Sequence, residues 1–139
     1  KVKTPTLAGK YSEEFNIYAG PKETLENSIK LFKSVASENG RDEKSLEITT
    51  ACPPVVGLTK ESVDNSLITA AKALIQPEDE IAKNWQERSY LYGTPKDVVK
   101  TLSMWQEVGI EAVYLQLLDL EPSKRDESVE VIRQAINLL

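Results

Sequence analysis

The stretch Glu111-Ala-Val-Tyr-Leu-Gln-Leu-Leu-Asp-Leu120 constrains the fold more than any other part of this sequence. From Ala112 to Leu118 it is almost unbroken by polar residues. A strand of that kind is buried on both faces, as in a parallel sheet covered by helices. A helical pattern leads into it and another leads away. One of its faces can be covered by those helices; a chain of 139 residues leaves open what covers the other.

The remaining punctuation supports alternating strands and helices. Residues 4–15 begin Thr4-Pro5, a cap and first-turn pair, and read as a short helix. Residues 16–20 are a short β-type run closed by Gly20. In 21–40, Leu25, Ile29, Phe32 and Ala36 form one apolar stripe and Gly40 stands at the stop. Residues 45–56 read as a strand halted by Pro53-Pro54, which cannot donate to a ladder. Helix follows over 59–75, with Thr59 and Ser62 as a cap pair, and then an acidic helix and loop over 76–93. In 94–109, Thr94 caps, Pro95 opens, Asp97 completes the box and Gly109 ends the helix. Val129, Ile132, Ile136 and Leu139 give 126–139 helical spacing. Strands separated by helices require crossovers, so the fold class is α/β with parallel strands, in the order 16–19, 46–52, 112–118.

Composition excludes several functions. The net charge is −5 with no basic patch, which argues against nucleic acid and anionic membrane as partners. No apolar run approaches the ~20 residues that span a bilayer. Cys52 is the sole cysteine and cannot form an internal disulfide, so a reducing, cytoplasmic setting is expected. The sequence has no histidine, which removes any Cys–His or Ser–His pair, and no metal site is expected. The opening Lys1-Val2-Lys3, with Met104 the sole methionine, reads as part of a longer protein.

Three motifs in order carry a resemblance. They are Ala8, Lys10, Tyr11, Ser12, Glu13 and Asn16 in the first segment, Gly40-Arg41-Asp42 after the next helix, and Gly93-Thr94-Pro95 before the helix that feeds 112–118. Together they resemble the C-terminal part of the luciferase-like flavin-dependent oxidoreductases, most closely the deazaflavin (coenzyme F420) branch. Ser12 and Glu13 stand where that family usually has Ala-Asp. The resemblance implies the C-terminal portion of a (β/α)8 barrel, a fold of about 250 residues. Residues 16–20, 45–56 and 112–119 would be its sixth, seventh and eighth strands, and residues 1–139 one domain of a partial barrel. The uncovered face of 112–118 is then the barrel interior. Val113, Leu115 and Leu117 suit the helix side; Ala112, Tyr114, Gln116 and Leu118 point inward.

Sites of such barrels lie at the C-terminal ends of the strands. The pocket candidates are therefore Gln116, an inward amide near the mouth; Asp119, at the strand end; Cys52, beside Pro53-Pro54; and Arg88, in the loop before Gly93. Each also has an ordinary reading: a Gln satisfied by the next strand, a loop cap, a core thiol, a solvated arginine. Asn16, Trp85 and Trp105 read as structural. Catalytic and cofactor-binding residues are not identifiable. The Gly-Gly turn that often helps hold the cofactor phosphate in this family lies outside 1–139. The resemblance implies a parent oxidoreductase or monooxygenase using reduced deazaflavin F420 or FMN on a small organic substrate. The chain alone is expected to be inactive, to bind neither cofactor tightly and to associate as a homodimer or higher homo-oligomer. A non-catalytic α/β scaffold or dimerisation module is the alternative.

Overall fold

The computed structural model describes residues 2–118 and 121–139. Its order is α1 (Lys3–Tyr11), β1 (Glu14–Tyr18), α2 (Lys22–Glu38), β2 (Glu47–Cys52), β3 (Val55–Val56), α3 (Lys60–Leu74), α4 (Glu78–Glu87), β4 (Tyr92–Gly93), α5 (Pro95–Glu107), β5 (Ala112–Leu115) and α6 (Pro122–Ile136). A single 3-10 turn at Glu43–Ser45 leads into β2.

The main sheet has the order β1-β2-β5 and both pairings are parallel, as the alternation of strands and helices requires. Phe15 lies opposite Ile48, Ile17 opposite Thr50, and Thr50 opposite Val113. These residues, with Cys52 and Leu115, share the face that the helices cover. Leu25, Ile29 and Phe32 of α2, Val98, Leu102 and Trp105 of α5, and Val131, Ile132 and Ala135 of α6 join them in one hydrophobic cluster. The Phe15 and Phe32 rings meet at 4.9 Å. Thr50 is fully buried there without penalty, because its hydroxyl donates to the Ile17 carbonyl at 2.8 Å.

A second, smaller cluster of Val55, Ala70, Ile81 and Trp85 forms where α3 and α4 pack on the parallel β3–β4 ladder. The Trp85 indole N–H donates to the Pro53 carbonyl at 2.8 Å, fixing α4 to the segment that leaves β2.

The capping signals mark real helix ends. Thr94 donates to Asp97 Oδ2 through its amide at 3.1 Å and its hydroxyl at 2.8 Å, closing the start of α5. Thr59 and Ser62 form a complete capping box on α3. Gly40 sits at φ 72 beyond α2, and the Arg41 amide returns to the Ala36 carbonyl at 3.0 Å.

Several boundaries differ from the sequence reading. The first helix runs over 3–11 with Val2, not Thr4, at its cap. The first strand starts at Glu14, so Asn16 is mid-strand rather than at its beginning. The run 45–56 is two strands in two sheets, because Pro53-Pro54 breaks the ladder. The last helix starts four residues before Asp126, at Pro122. The strand within 111–120 is only Ala112–Leu115. Leu118 does not continue its inward face: it packs against the second cluster. Nor is 112–115 buried on both sides. Tyr114 is 53% exposed, because nothing among the described residues covers the face opposite the helices.

Candidate functional site

The open face of the main sheet follows from the register. Glu14, Asn16 and Tyr18 of β1 lie beside Glu47, Thr49 and Ala51 of β2, and Thr49 and Ala51 lie beside Ala112 and Tyr114 of β5. Its N-terminal part is a polar network. Asn16 Nδ2 donates to Thr49 Oγ1 at 2.8 Å, and Thr49 donates in turn to Glu14 Oε1. That network satisfies the hydroxyl of Thr49, which is fully buried on a face that is otherwise open. The negative charge of Glu14 pushes the Tyr114 phenol above its ordinary value; desolvation, a hydrogen bond to Glu14 and the charge of Glu47 add to this. The phenol is therefore a hydrogen-bond donor toward the carboxylates throughout the neutral range.

The C-terminal rim of this face carries Tyr18, 83% exposed, then Ala51, and then Gln116 one residue past β5. The Gln116 amide donates to the Cys52 carbonyl at 3.0 Å, extending the ladder by one bond. Its backbone is thereby fixed at the mouth while the residue remains exposed. An aromatic ring, a small side chain and a carboxamide can wall one side of a planar ligand and hydrogen-bond its edge.

The other candidates lie elsewhere. Cys52 points to the helix-covered side and is fully buried; burial pushes its thiol up to about 11, against a smaller opposing contribution from the Leu91 backbone. A thiol held neutral this way is a packing group. Arg88 is the exposed C-terminal cap residue of α4. Asp119 lies outside the described residues. Sequence reading passed over Tyr18 and the Glu14–Thr49 bond. Starting the strand at Glu14 would have exposed both, since Glu14, Asn16 and Tyr18 alternate with buried Phe15 and Ile17.

Arg41 and Asp42, two of the motif residues behind the resemblance, hold backbone in place. The Arg41 guanidinium donates to the carbonyl oxygens of Ala8 at 3.3 Å, Gly9 at 2.9 Å and Ser12 at 2.6 Å, gathering the end of α1. Asp42 caps the 3-10 turn by accepting from the Lys44 amide at 3.0 Å. A Cβ on Gly9 would lie 2.6 Å from the Phe32 carbonyl oxygen, so glycine there permits the close approach of α1 and α2.

No protein-family model matches the sequence, and no curated protein matches it. Solved structures do. An F420-dependent secondary alcohol dehydrogenase, in complex with an F420-acetone adduct, superposes with a TM-score of 0.69 at 21% identity, over 96% of this chain and 46% of that one. The coenzyme F420 dependent tetrahydromethanopterin reductase from Methanopyrus kandleri gives a TM-score of 0.66 at 14% identity, over 96% of this chain and 48% of that one. EDTA monooxygenase from Chelativorans sp. gives 0.69 at 16% identity, over 96% and 43%. The chain thus spans less than half the length of each of these structures. At such identities the likeness concerns the fold alone: the chain has the parallel α/β architecture of a portion of these barrels, which agrees with the fold that the resemblance read from the sequence implies.

Proposed function

We propose that this chain is the C-terminal part of an oxidoreductase or monooxygenase that uses reduced deazaflavin F420 or FMN on a small organic substrate. The observation that carries the reading is the one-sided sheet. Its helix face is a finished core, its other face is open, and the fold superposes on under half the length of an F420-dependent secondary alcohol dehydrogenase and of a coenzyme F420 dependent reductase. The cofactor would supply the hydride chemistry or oxygen activation. The chain's own part is positional: Tyr18, Ala51 and Gln116 wall the C-terminal mouth. The polar layer of Glu14, Asn16 and Thr49 lies toward the opposite end, and the Tyr114 phenol, from the row of Ala51, interacts with Glu14. No helix among the described residues is long and apolar enough to cross a membrane. The buried, unpaired Cys52 suits a reducing, cytoplasmic setting.

The chain alone is inactive in this reading, because most of the barrel wall lies in the matched proteins' other half. The test has two arms. The intact gene product should show the visible absorption of a bound deazaflavin or flavin; a colourless, full-length protein that takes up neither would refute the enzyme reading. The 139-residue chain should bind neither cofactor tightly, and a micromolar affinity for either would move the binding determinants into it.

The same open face makes the isolated chain associate with a second copy. It carries Tyr18 and Tyr114 exposed between two sheet edges, β1 and β5, each paired on one side only among the described residues. Closed twofold symmetry is the commonest outcome. Sedimentation should show a dimer or larger species at micromolar concentration, and Y18E/Y114E should shift it toward monomer. A monomeric parent chain would end this part of the proposal.

A further inference from the structure

Beside the segments that leave the C-terminal ends of β2 and β5, between residues of α3 and α6, lies a cleft of about 440 Å³. Its floor is apolar: Pro54, Val56, Leu117 and Leu118. Its two walls are helix faces, mainly polar, with Ile68 and Ala70 of α3 among them. Ser62, Asn65, Ser66, Thr69 and Lys72 follow one another along α3 at helical spacing. Arg125 and Ser128 stand opposite, one turn apart at the start of α6.

Two mainly polar helix faces opposite each other across a gap are not a core contact. The charges say what fits between them. Among the described lining residues, Lys72, Lys124 and Arg125 stand with one carboxylate, Glu127, which accepts from the Leu58 amide at 3.1 Å. Lys124 is paired with Glu121 at 3.3 Å. No described group pairs with the Lys72 ammonium or the Arg125 guanidinium, and the half-buried Ser66 and Ser128 line the same cleft. Its described lining thus carries more cationic than anionic side chains in a chain whose net charge is −5. Its volume falls within the range of small-molecule sites, about 300–1,000 Å³.

We propose that this cleft is a binding site for a small organic phosphate. The phosphate meets Arg125, whose planar fork suits two oxygens, together with Lys72 and the serine hydroxyls. The organic part lies on the floor of Val56, Leu117 and Leu118. This goes beyond the flavin reading and stands without it, since it rests on the cleft's own side chains. The phosphate can belong to a cofactor tail or to a substrate.

Lys72 and Arg125 are exposed, so replacing them leaves the fold intact. An isotope-labelled sample of the 139-residue chain is titrated with inorganic pyrophosphate at constant ionic strength and followed by amide NMR. Shifts should concentrate in 62–72 and 123–128. K72Q/R125Q should weaken binding at least about tenfold, the loss of roughly 1.4 kcal/mol. K10Q/K30Q, on exposed parts of α1 and α2, should leave it unchanged. FMN and riboflavin, titrated in parallel, identify the source. Tighter binding of FMN than riboflavin at these same residues marks a cofactor tail. Equal weakness, with pyrophosphate still bound, marks a substrate phosphate. The proposal is overturned if shifts scatter over all surface lysines, or if K72Q/R125Q binds pyrophosphate as well as the parent sequence does.

Discussion

Arg41 donates to three carbonyl groups at the C-terminal end of α1, those of Gly9, Ser12 and Ala8, the last of which also accepts from the Ser12 amide. One planar cation does what would otherwise need water or a cap residue. R41Q should therefore destabilise the chain by about 1.5–3 kcal/mol in urea unfolding, the usual range for hydrogen bonds to a charged group. R41K should recover little, because an ammonium cannot span the three oxygens. An R41K variant as stable as the parent would show that charge, not geometry, holds α1. Gly57 is constrained differently. A Cβ there would lie 2.4 Å from the Ser62 hydroxyl and 2.5 Å from the backbone of Ser62 and Val63. At Gly20 it would meet nothing within 4 Å. G57A should cost about 1–3 kcal/mol by overpacking and G20A under about 0.5 kcal/mol. Equal midpoints for the two variants would contradict the close approach of α3 to Gly57. Neither role is written in the sequence as such: Gly40-Arg41-Asp42 is visible as a motif, but its three targets lie some thirty residues upstream.

Among the elements, helices were the most legible, because their ends are chemically marked. The Thr94–Asp97 pair is the clearest case, and it brings a pH dependence. The hydrogen bonds from Thr94 and the charge of Lys100 hold the Asp97 carboxyl below its ordinary range, outweighing a partial desolvation that acts the other way. A group lowered in the folded state stabilises above its unfolded value, and that contribution is lost as pH falls through the folded one. The stability gap between parent and D97N should therefore be present at neutral pH, about 0.5–2 kcal/mol for a lost cap. It should close in the acid range below the ordinary carboxylate value. A gap that persisted unchanged there would mean Asp97 acts by shape alone. Strands were less legible. Val55–Val56 and Tyr92–Gly93 pair over two residues each, too short for any alternation to register. The apolar run after Leu115 resembled more strand because Leu117 and Leu118 are as hydrophobic as the residues before them. What distinguishes them is the second cluster, built by α3 and α4 far away in sequence, and the cleft, walled by α3 and α6. The cleft was unreadable for the same reason: Lys72 and Arg125 are 53 residues apart (125 − 72) on two helices.

Over the whole molecule, the sequence did disclose topology, since each parallel pairing demands a helical crossover and the helices were recognisable. It also posed the right question about 112–118, whose free face is the open side of the sheet. What it did not disclose is that the apolar residues gather in two clusters rather than one. Trp105 belongs to the first and Trp85 to the second. Each cluster thus carries its own optical reporter. In W85F the remaining indole watches the main sheet; in W105F it watches the α3–α4 pair, with Tyr90 set edge-on 5.4 Å from it. The second cluster has four buried members against twenty in the first. Regions with fewer buried apolar groups open at lower free energy. Fluorescence melts of the two single-tryptophan variants should accordingly part company: the W105F signal should change at lower urea than far-ultraviolet circular dichroism, and the W85F signal together with it. Coincident curves would show one cooperative unit. Separated curves would mean that the helices flanking the mouth can loosen and close again while the sheet beneath them stays folded, so that traffic into the mouth is set by a local equilibrium rather than by the stability of the whole chain.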